Sequence, residues 1–375
     1  YDSEGNVEWA KGIGGTTNDC INSVAATSDG GYIAGGDFHS NSIDLEDEII
    51  LTNKNTVGYS DGMIIKYDKK GEVMWAKVIG GTTHDCINSV IESEDKGYIV
   101  GGYFQSENID LENGISLINN NASERYSDGM IIKYDSEGKT EWAKKAGGTN
   151  SDHVKSVVET IDGGYIAGGS FLSSSIDLED EIILTNKYNE GSNDGMVIKF
   201  KKVELPNPMI VQSQVFGEDA SIGYIAETSD GGYIAGGSFI SYIDLGNGVS
   251  LTSTKSKGYQ GMLIKYSAKG EVEWAKAIIG DNNAHIDSIS EAKDGGYIVG
   301  GHFYGNIEFE NGVILSNKST SMSTDGMVIK YDSEGNIEWA KGIGGTSNDY
   351  INSVAETDDG GYIAGGYFDS SSVDL

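Results

Sequence analysis

An eight-residue phrase, DGGYIAGG at Asp29–Gly36, recurs in near copies that start at Asp95, Asp162, Asp230, Asp294 and Asp359, at intervals of 64 to 68 residues. A fixed period of this size, carried by β-type segments, leaves a chain few folds to choose from. Each repeat is one supersecondary unit that buries its apolar faces only by stacking on its neighbours.

Aligning the copies divides each repeat into four apolar segments. In the second repeat they are Glu72–Val78, Ile87–Ser93, Gly97–Phe104 and Gly129–Tyr134. We call them the tryptophan, inner, glycine and lysine strands. Each is short and rich in Ile, Val, Tyr or Trp, with Gly, Asn, Asp and Ser between, which is a strand pattern and not a helical one. An Asp-Gly-Gly turn joins inner to glycine strand, and an Asp-Ser-Glu-Gly type turn joins lysine strand to the next tryptophan strand.

A four-stranded antiparallel sheet repeated about every 66 residues is a β-propeller blade. The expected fold is therefore all-β, a single propeller domain over residues 1–375. Its repeats run approximately 1–66, 67–133, 134–199, 200–265, 266–330 and 331–375, the last incomplete. Six blades are expected, with seven as the alternative, and the N-terminal tryptophan strand is expected to complete the sheet begun by Ile351–Phe368. The inner strand should lie at the axis and the tryptophan strand at the rim, with Trp9, Trp75, Trp142, Trp274 and Trp339 as core anchors. The fourth repeat departs from the pattern at Leu205–Met209, where both prolines sit, and reads as an edge strand.

Composition narrows function by exclusion. Fifty-eight acidic against 26 basic side chains give a formal charge of −32. That field repels phosphate backbones and anionic membranes, so no nucleic-acid binding is expected. No apolar run is long enough to span a bilayer, so no membrane insertion is expected either. Two cysteines make no disulfide framework. The chain opens inside a repeat at Tyr1-Asp2, which reads as a piece of a larger multidomain chain.

The run D-G-M-I-I-K-Y-D-x-x-G-x-x-x-W-A-K-x-x-G-G-T-x-x-D, followed by S-V-A-E-T-x-D-G-G-Y-I-A-G-G, resembles the bacterial β-propeller repeat of the SBBP type over nearly the whole chain. The resemblance implies a part of a large secreted or cell-surface bacterial protein, and its name implies seven blades where six repeats can be counted here.

Antiparallel order sends the Asp-Gly-Gly and Asp-Ser-Glu-Gly turns to one face. The other face receives the segment before the inner strand and a long connection after the glycine strand, such as His39–Ser60, which varies most between repeats. Variable loops on a rigid scaffold are where binding usually resides. Within these connections Ile109–Leu117, Ile243–Leu251 and Ile307–Leu315 read as small hairpins, while Glu46–Glu48 and Glu179–Glu181 are acidic.

Two sets of positions on that face differ from repeat to repeat while their neighbours repeat. One reads Cys20, Cys86, His153, Ser221, His285, Tyr350; the other reads Asp37, Tyr103, Ser170, Ser238, His302, Tyr367. Both are expected at the channel mouth. Cys and His are soft metal ligands, yet no CxxC or HxxxH spacing gathers them. Asp19, Asp85, Asp152 and Asp349 precede the first set. They read as Asx turns at the start of the inner strand, or as weak calcium ligands. Calcium is the one cofactor the acidic loops suggest, although none has the EF-hand spacing. Glu92, Glu159, Glu227, Glu291 and Glu356 share one inner-strand position, held by Ala26 in the first repeat, and are expected to bond a neighbouring turn.

The expected function is a non-catalytic binding or adhesion module that recognises a glycan or protein ligand through the variable face, in an extracellular or cell-surface setting. A structural spacer is the alternative, and a glycan-cleaving enzyme a third, which would need two carboxylates set apart from the repeat pattern.

Overall fold

The structure, a computed structural model, describes residues 7, 9–45, 48–55, 58–119, 121–122, 125–178, 182–187, 191–201, 209–217, 219–253, 258–318, 323–357 and 359–374. Tyr188, Leu205–Pro208 and most of the two acidic Glu-Asp-Glu runs therefore lie outside the described residues, as does Tyr1-Asp2. Among the described residues the secondary structure is all strand, and no helix is long and apolar enough to cross a membrane.

The chain divides into two compact units. The first (Tyr1–Glu159, Gly163–Thr185 and Ile198–Ser213) holds two complete four-stranded sheets and the inner and glycine strands of a third. The second (Thr160–Asp162, Asn186–Val197 and Gln214–Leu375) holds two more complete sheets and a final hairpin, Asp349–Glu356 with Tyr362–Phe368.

Within each complete sheet the order is inner, glycine, lysine, tryptophan, all antiparallel. The expected strands appear within one or two residues. Those of the second repeat are Val73–Ile79, Asp85–Glu92, Tyr98–Phe104 and Asp128–Tyr134. The fold is thus a repeat of β-propeller blades. Every inner strand carries a β-bulge, at Asn22 between Ile21 and Ser23 and at Asp287 between Ile286 and Ser288, for example. The residues around Trp9 form no strand among those described. Trp9 packs on Tyr32 and Tyr67 of the first sheet, ring centroids 5.4 and 6.0 Å away.

The expected small hairpins are present. Asn108–Asp110 pairs with Ser116–Ile118 and Tyr242–Gly246 with Val249–Thr252. Glu112, Asn113 and Gly114 take positive φ at the first of these turns, which an Asn-Gly tip accommodates at small cost. Each hairpin folds back on its own sheet: Ile43, Leu45 and Leu51 join Phe38, Met63 and Ile65 in one cluster.

Sheets stack through one repeated device. Gly35 lies under Ile87 and Val90 of the following sheet, where a Cβ would come within 2.8 Å of Ile87 Cγ2. Gly101 meets Val154 and Val157 in the same way, Gly236 meets Ile286 and Ile289, and Gly300 meets Ile351 and Val354. At the other edge each tryptophan packs on the glycine-strand tyrosine of the next sheet, Trp75 on Tyr98 at 5.5 Å and Trp274 on Tyr297 at 5.7 Å. Four of the five inner-strand glutamates, Glu92, Glu159, Glu291 and Glu356, bond the preceding sheet's turn as expected. Glu92 accepts from Ser28 N and Oγ at 2.7 and 3.0 Å, and Glu291 from Ser229 N and Oγ at 2.7 and 2.9 Å.

The polar lysine of each lysine strand is buried. Lys66 Nζ donates to both Asp29 carboxylate oxygens, to Thr27 Oγ1 and to Tyr67 O, all within 3.1 Å. Lys133 with Asp95 and Lys330 with Asp294 repeat the arrangement. A buried ammonium needs such partners, so the lysine strand and the turn of its own sheet form together.

Replacing Gly101 by Ala should cost about 1–3 kcal/mol, because the added methyl overlaps Val154 and Val157. Gly365→Ala, at the matching position of the final hairpin where nothing lies within 4 Å, should stay within about 0.5 kcal/mol of the parent. Urea unfolding at low protein concentration measures both. Equal effects would contradict this stacking rule.

Candidate functional site

The two variable sets face each other across the sheet. The register pairs Cys20 with Asp37, Cys86 with Tyr103, His153 with Ser170, Ser221 with Ser238, His285 with His302, and Tyr350 with Tyr367. Stacking then interleaves them, because the second-set residue of one sheet meets the first-set residue of the next. What the sequence presents as two sets is, within each unit, one belt.

In the first unit Cys86 Sγ lies 3.4 Å from Asp37 Oδ1, and the Tyr103 ring stacks on His153 with centroids 4.3 Å apart. His153 Nε2 is 2.7 Å from Ser127 Oγ. Burial pulls the His153 imidazole down to about 4, so the ring is neutral at physiological pH. Burial pushes the Cys86 thiol up, and the Asp37 carboxylate adds to the shift, so this sulfur stays protonated and donates to Asp37. A raised thiol is a poor nucleophile and a poor metal ligand. Both cysteines are free.

In the second unit the belt is a run of rings. Tyr259 approaches His285 at 5.8 Å, His285 stacks on His302 at 4.9 Å, His302 meets Tyr350 at 4.6 Å, and Tyr350 stacks on Tyr367 at 4.8 Å. His302 Nδ1 is hydrogen-bonded to Asp287 Oδ2. The far end is open: Tyr367 is half exposed.

Sequence reasoning missed the third contributor, the residue at each inner-strand bulge. A bulge re-aims its side chain. Asn22 Nδ2 thereby reaches Asp37 Oδ1 at 3.1 Å and Ile87 O at 3.0 Å; Asn88 Nδ2 reaches Val154 O at 2.8 Å; Asp287 reaches His302. The position reads Asn22, Asn88, Lys155, Gly223, Asp287, Asn352, so its variation was the available signal. A second cluster, His39, Tyr59 and His84, forms on the first unit's loops, with His84 centroids 5.6 Å from His39 and 4.8 Å from Tyr59.

Asp19, Asp85, Asp152 and Asp349 are placed beneath the belt. Each ties the segment before the inner strand to the start of the variable loop. Asp85 accepts from Gly81 N (2.9 Å), Gln105 N (3.0 Å), Ser106 N (3.1 Å) and Ser106 Oγ (2.6 Å). Asp152 repeats this with Gly148, Leu172 and Ser173, and Asp349 with Gly345 and Ser370. Asp19 bonds Gly15, His39 and Ser40, and these bonds outweigh its partial burial, leaving its carboxyl below the usual value. These oxygens are spent on protein donors. Among the described residues no group of three or more His, Cys, Asp or Glu is arranged to hold a metal ion.

A second buried carboxylate neighbours several of these clamps. Burial raises Asp85 to about 7, and the Asp61 charge adds to it; burial raises Asp152 to about 7, with Asp128 adding. Where the fourth repeat meets the fifth both partners differ, with Gln260 at the Asp61 position and Ala284 at the Asp85 position. Gln260 Oε1 then accepts from Gly280 N at 2.8 Å.

Fold and site together define a β-propeller-type repeat protein that carries a belt of varied side chains on a repeated scaffold. The chain is similar to the regulatory protein FlaEY of Caulobacter vibrioides, 28% identical over 104 residues, which is 28% of this chain and 11% of that protein. It is also similar to an uncharacterised WD repeat-containing protein of Acanthamoeba polyphaga mimivirus, 22% identical over 98% of this chain and 26% of that one. The chain thus spans about a tenth and a quarter of these relatives' lengths. No protein-family model matches it. Solved structures with some likeness include Chaetomium thermophilum Sqt1, 11% identical over 93% of this chain and 80% of that one, TM-score 0.45. A periplasmic gluconolactonase of Pseudomonas aeruginosa is 11% identical over 85% of this chain and 84% of that one, TM-score 0.34.

The raised clamp carboxyls give stability a definite pH dependence. Between the unfolded value of 3.8 and the folded value of about 7 the folded state holds protons that the unfolded chain has released, so stability falls as pH rises through this window and levels off above it. The turn carboxylates act in the opposite sense. Burial would raise Asp230, but the Lys265, Thr228 and Gly232 hydrogen bonds bring it down to about 2, so its contribution is present above 3.8 and lost as pH falls toward 2. Urea midpoints should therefore be highest at about pH 4–5 and lower at pH 7.5. The double variant Asp61→Gln/Asp85→Ala, copying the native Gln260/Ala284 pair, should flatten the slope. An unchanged slope would count against protonated clamps.

Proposed function

We propose that this chain is a non-catalytic binding module whose recognition surface is the belt and the loops beside it. The observation that supports this most is the distribution of variation. Turns, lysine clasps and stacking glycines repeat almost unchanged, while chemistry differs from sheet to sheet where the two variable sets interleave and in the loops beside them. Cys86, Tyr103 and His153 are brought together in one unit, and His285, His302, Tyr350 and Tyr367 in the other. Stacked aromatic rings with one open end, flanked by Asn and Asp acceptors and donors, suit a sugar face or an aromatic or apolar protein anchor. The ligand class is therefore a glycan or a protein. The resemblance to SBBP-type repeats supports a bacterial extracellular or cell-surface setting within a longer protein.

The test is a glycan and extracellular-matrix protein array probed with the purified chain, in calcium and in chelator. A saturable hit is expected that weakens at least tenfold in Tyr367→Ala, whose ring is half exposed and whose loss leaves the sheets' stacking glycines untouched. Tyr103→Ala should weaken a hit that uses the first unit. A hit unaffected by either substitution would move recognition away from the belt, and a blank with a well-folded protein would favour the spacer reading.

A further inference from the structure

Two seams between adjacent sheets, one in each unit, present the same receiving half. In the first unit His153 is followed by Val154, and in the second His285 is followed by Ile286, at matching positions of the inner strand. The sheet before His153 fills this half with two side chains. Tyr103 stacks its ring on His153, centroids 4.3 Å and planes 29° apart, and the bulge residue Asn88 donates to Val154 O at 2.8 Å. Asn22 donates to Ile87 O at 3.0 Å in the same way, so the amide contact belongs to the repeat.

The sheet before His285 has neither side chain. Ser238 stands at the Tyr103 position and Gly223 at the Asn88 position. Nothing lies within 4 Å of the place a Gly223 Cβ would take, so no other group has moved into that room. His302 stacks on His285 from its own sheet, at 4.9 Å and 18°. Tyr259 approaches His285 at 5.8 Å with a 39° tilt, too far and too inclined to stack as Tyr103 does, and is itself 37% exposed. This seam keeps the receiving half and lacks the ring and the amide that complete its counterpart.

We propose that the slot between Ser238, Gly223 and His285 binds an aromatic side chain of a partner protein, its ring stacked on His285 and its backbone N–H donated to Ile286 O. The inference rests on the belt reading above and narrows its ligand from glycan or protein to protein. The chain's own counterpart decides the chemistry. What completes the His153 seam is a flat ring together with an amide N–H, and a peptide residue with an aromatic side chain carries both on one short frame. A sugar offers hydroxyl groups but no flat ring for stacking at that spacing. Tyr259 then edges the bound ring, an arrangement aromatic pairs favour.

NMR of the imidazole signals during titration with N-acetyltyrosinamide tests this, with His285→Gln assigning the signal to follow. The His285 resonance should shift saturably. N-acetylleucinamide, which has the same amides and no ring, and methyl glucoside should leave it in place. Ser238→Tyr copies Tyr103 and Gly223→Asn copies Asn88. Each fills the slot from within and should abolish the shift, and unchanged indole signals of Trp274 and Trp339 would show the second unit intact. The two variants act at separate positions, so either one decides if the other fails to fold. The proposal is overturned if N-acetyltyrosinamide leaves His285 unmoved, if methyl glucoside moves it instead, or if the filled variants respond as the parent does. The belt reading fails separately, through an array ligand indifferent to both Tyr367→Ala and Tyr103→Ala. An array ligand lost in Tyr367→Ala that binds Ser238→Tyr and Gly223→Asn unchanged would sink the slot and keep the belt.

Discussion

A glycine that leaves room for a neighbour's branched side chain sets the spacing on which everything else in this chain rests. With no Cβ at Gly35, Gly101, Gly236 or Gly300, adjacent sheets approach until Ile or Val side chains fill the gap. Burying each such side chain is worth about 1.5–3 kcal/mol, and the seam recurs, so the contribution accumulates along the chain. The same closeness brings each glutamate to the preceding turn and each tryptophan to the next sheet's tyrosine. It also brings Asp37 against Cys86, and Tyr103 against His153. The belt is a consequence of the seam.

Polar groups inside the sheets solve a second problem. A lysine in the lysine strand and an aspartate before the inner strand are both expensive to bury alone. Lys66 is matched by Asp29, Thr27 and Tyr67 O, and Asp85 by four donors from two loops. Each arrangement ties a turn or loop to the strand it serves. The two faces of a sheet are thereby fixed by opposite chemistry, an ammonium gripping the constant turns and a carboxyl gripping the variable loops. Where the clamp aspartate is replaced, the partner carboxylate is lost at one place, Gln260 with Ala284, and kept at the other, Asp194 with Ala220.

The strands, their order and the loop-bearing face were legible in the sequence because each rests on local pattern: alternation, glycine turns and a fixed period. The belt was only partly legible. Its members stood out by varying, but their interleaving depends on how sheets stack, which no single repeat encodes. The bulge residues Asn22, Asn88 and Asp287 were passed over because a bulge shifts register without a composition signal. The lysine clasp was hidden for a different reason, since a lone lysine in an apolar strand reads as a solvated end. Trp9 carries the tryptophan-strand motif and packs on Tyr32 as Trp75 packs on Tyr98, so the motif foretold its contact.

All five histidines, His39, His84, His153, His285 and His302, lie in the belt or in the loops beside it, whereas the tryptophans lie at the opposite edge of the sheets. The imidazole and indole signals of one NMR spectrum therefore report the two locations at once. Titrating the labelled chain with the ligand that an array selects is the most direct measurement. The account requires imidazole resonances of one unit to move with saturation while the indole signals of Trp75, Trp142, Trp274 and Trp339 hold still. Indole shifts with all five imidazoles unmoved would contradict it.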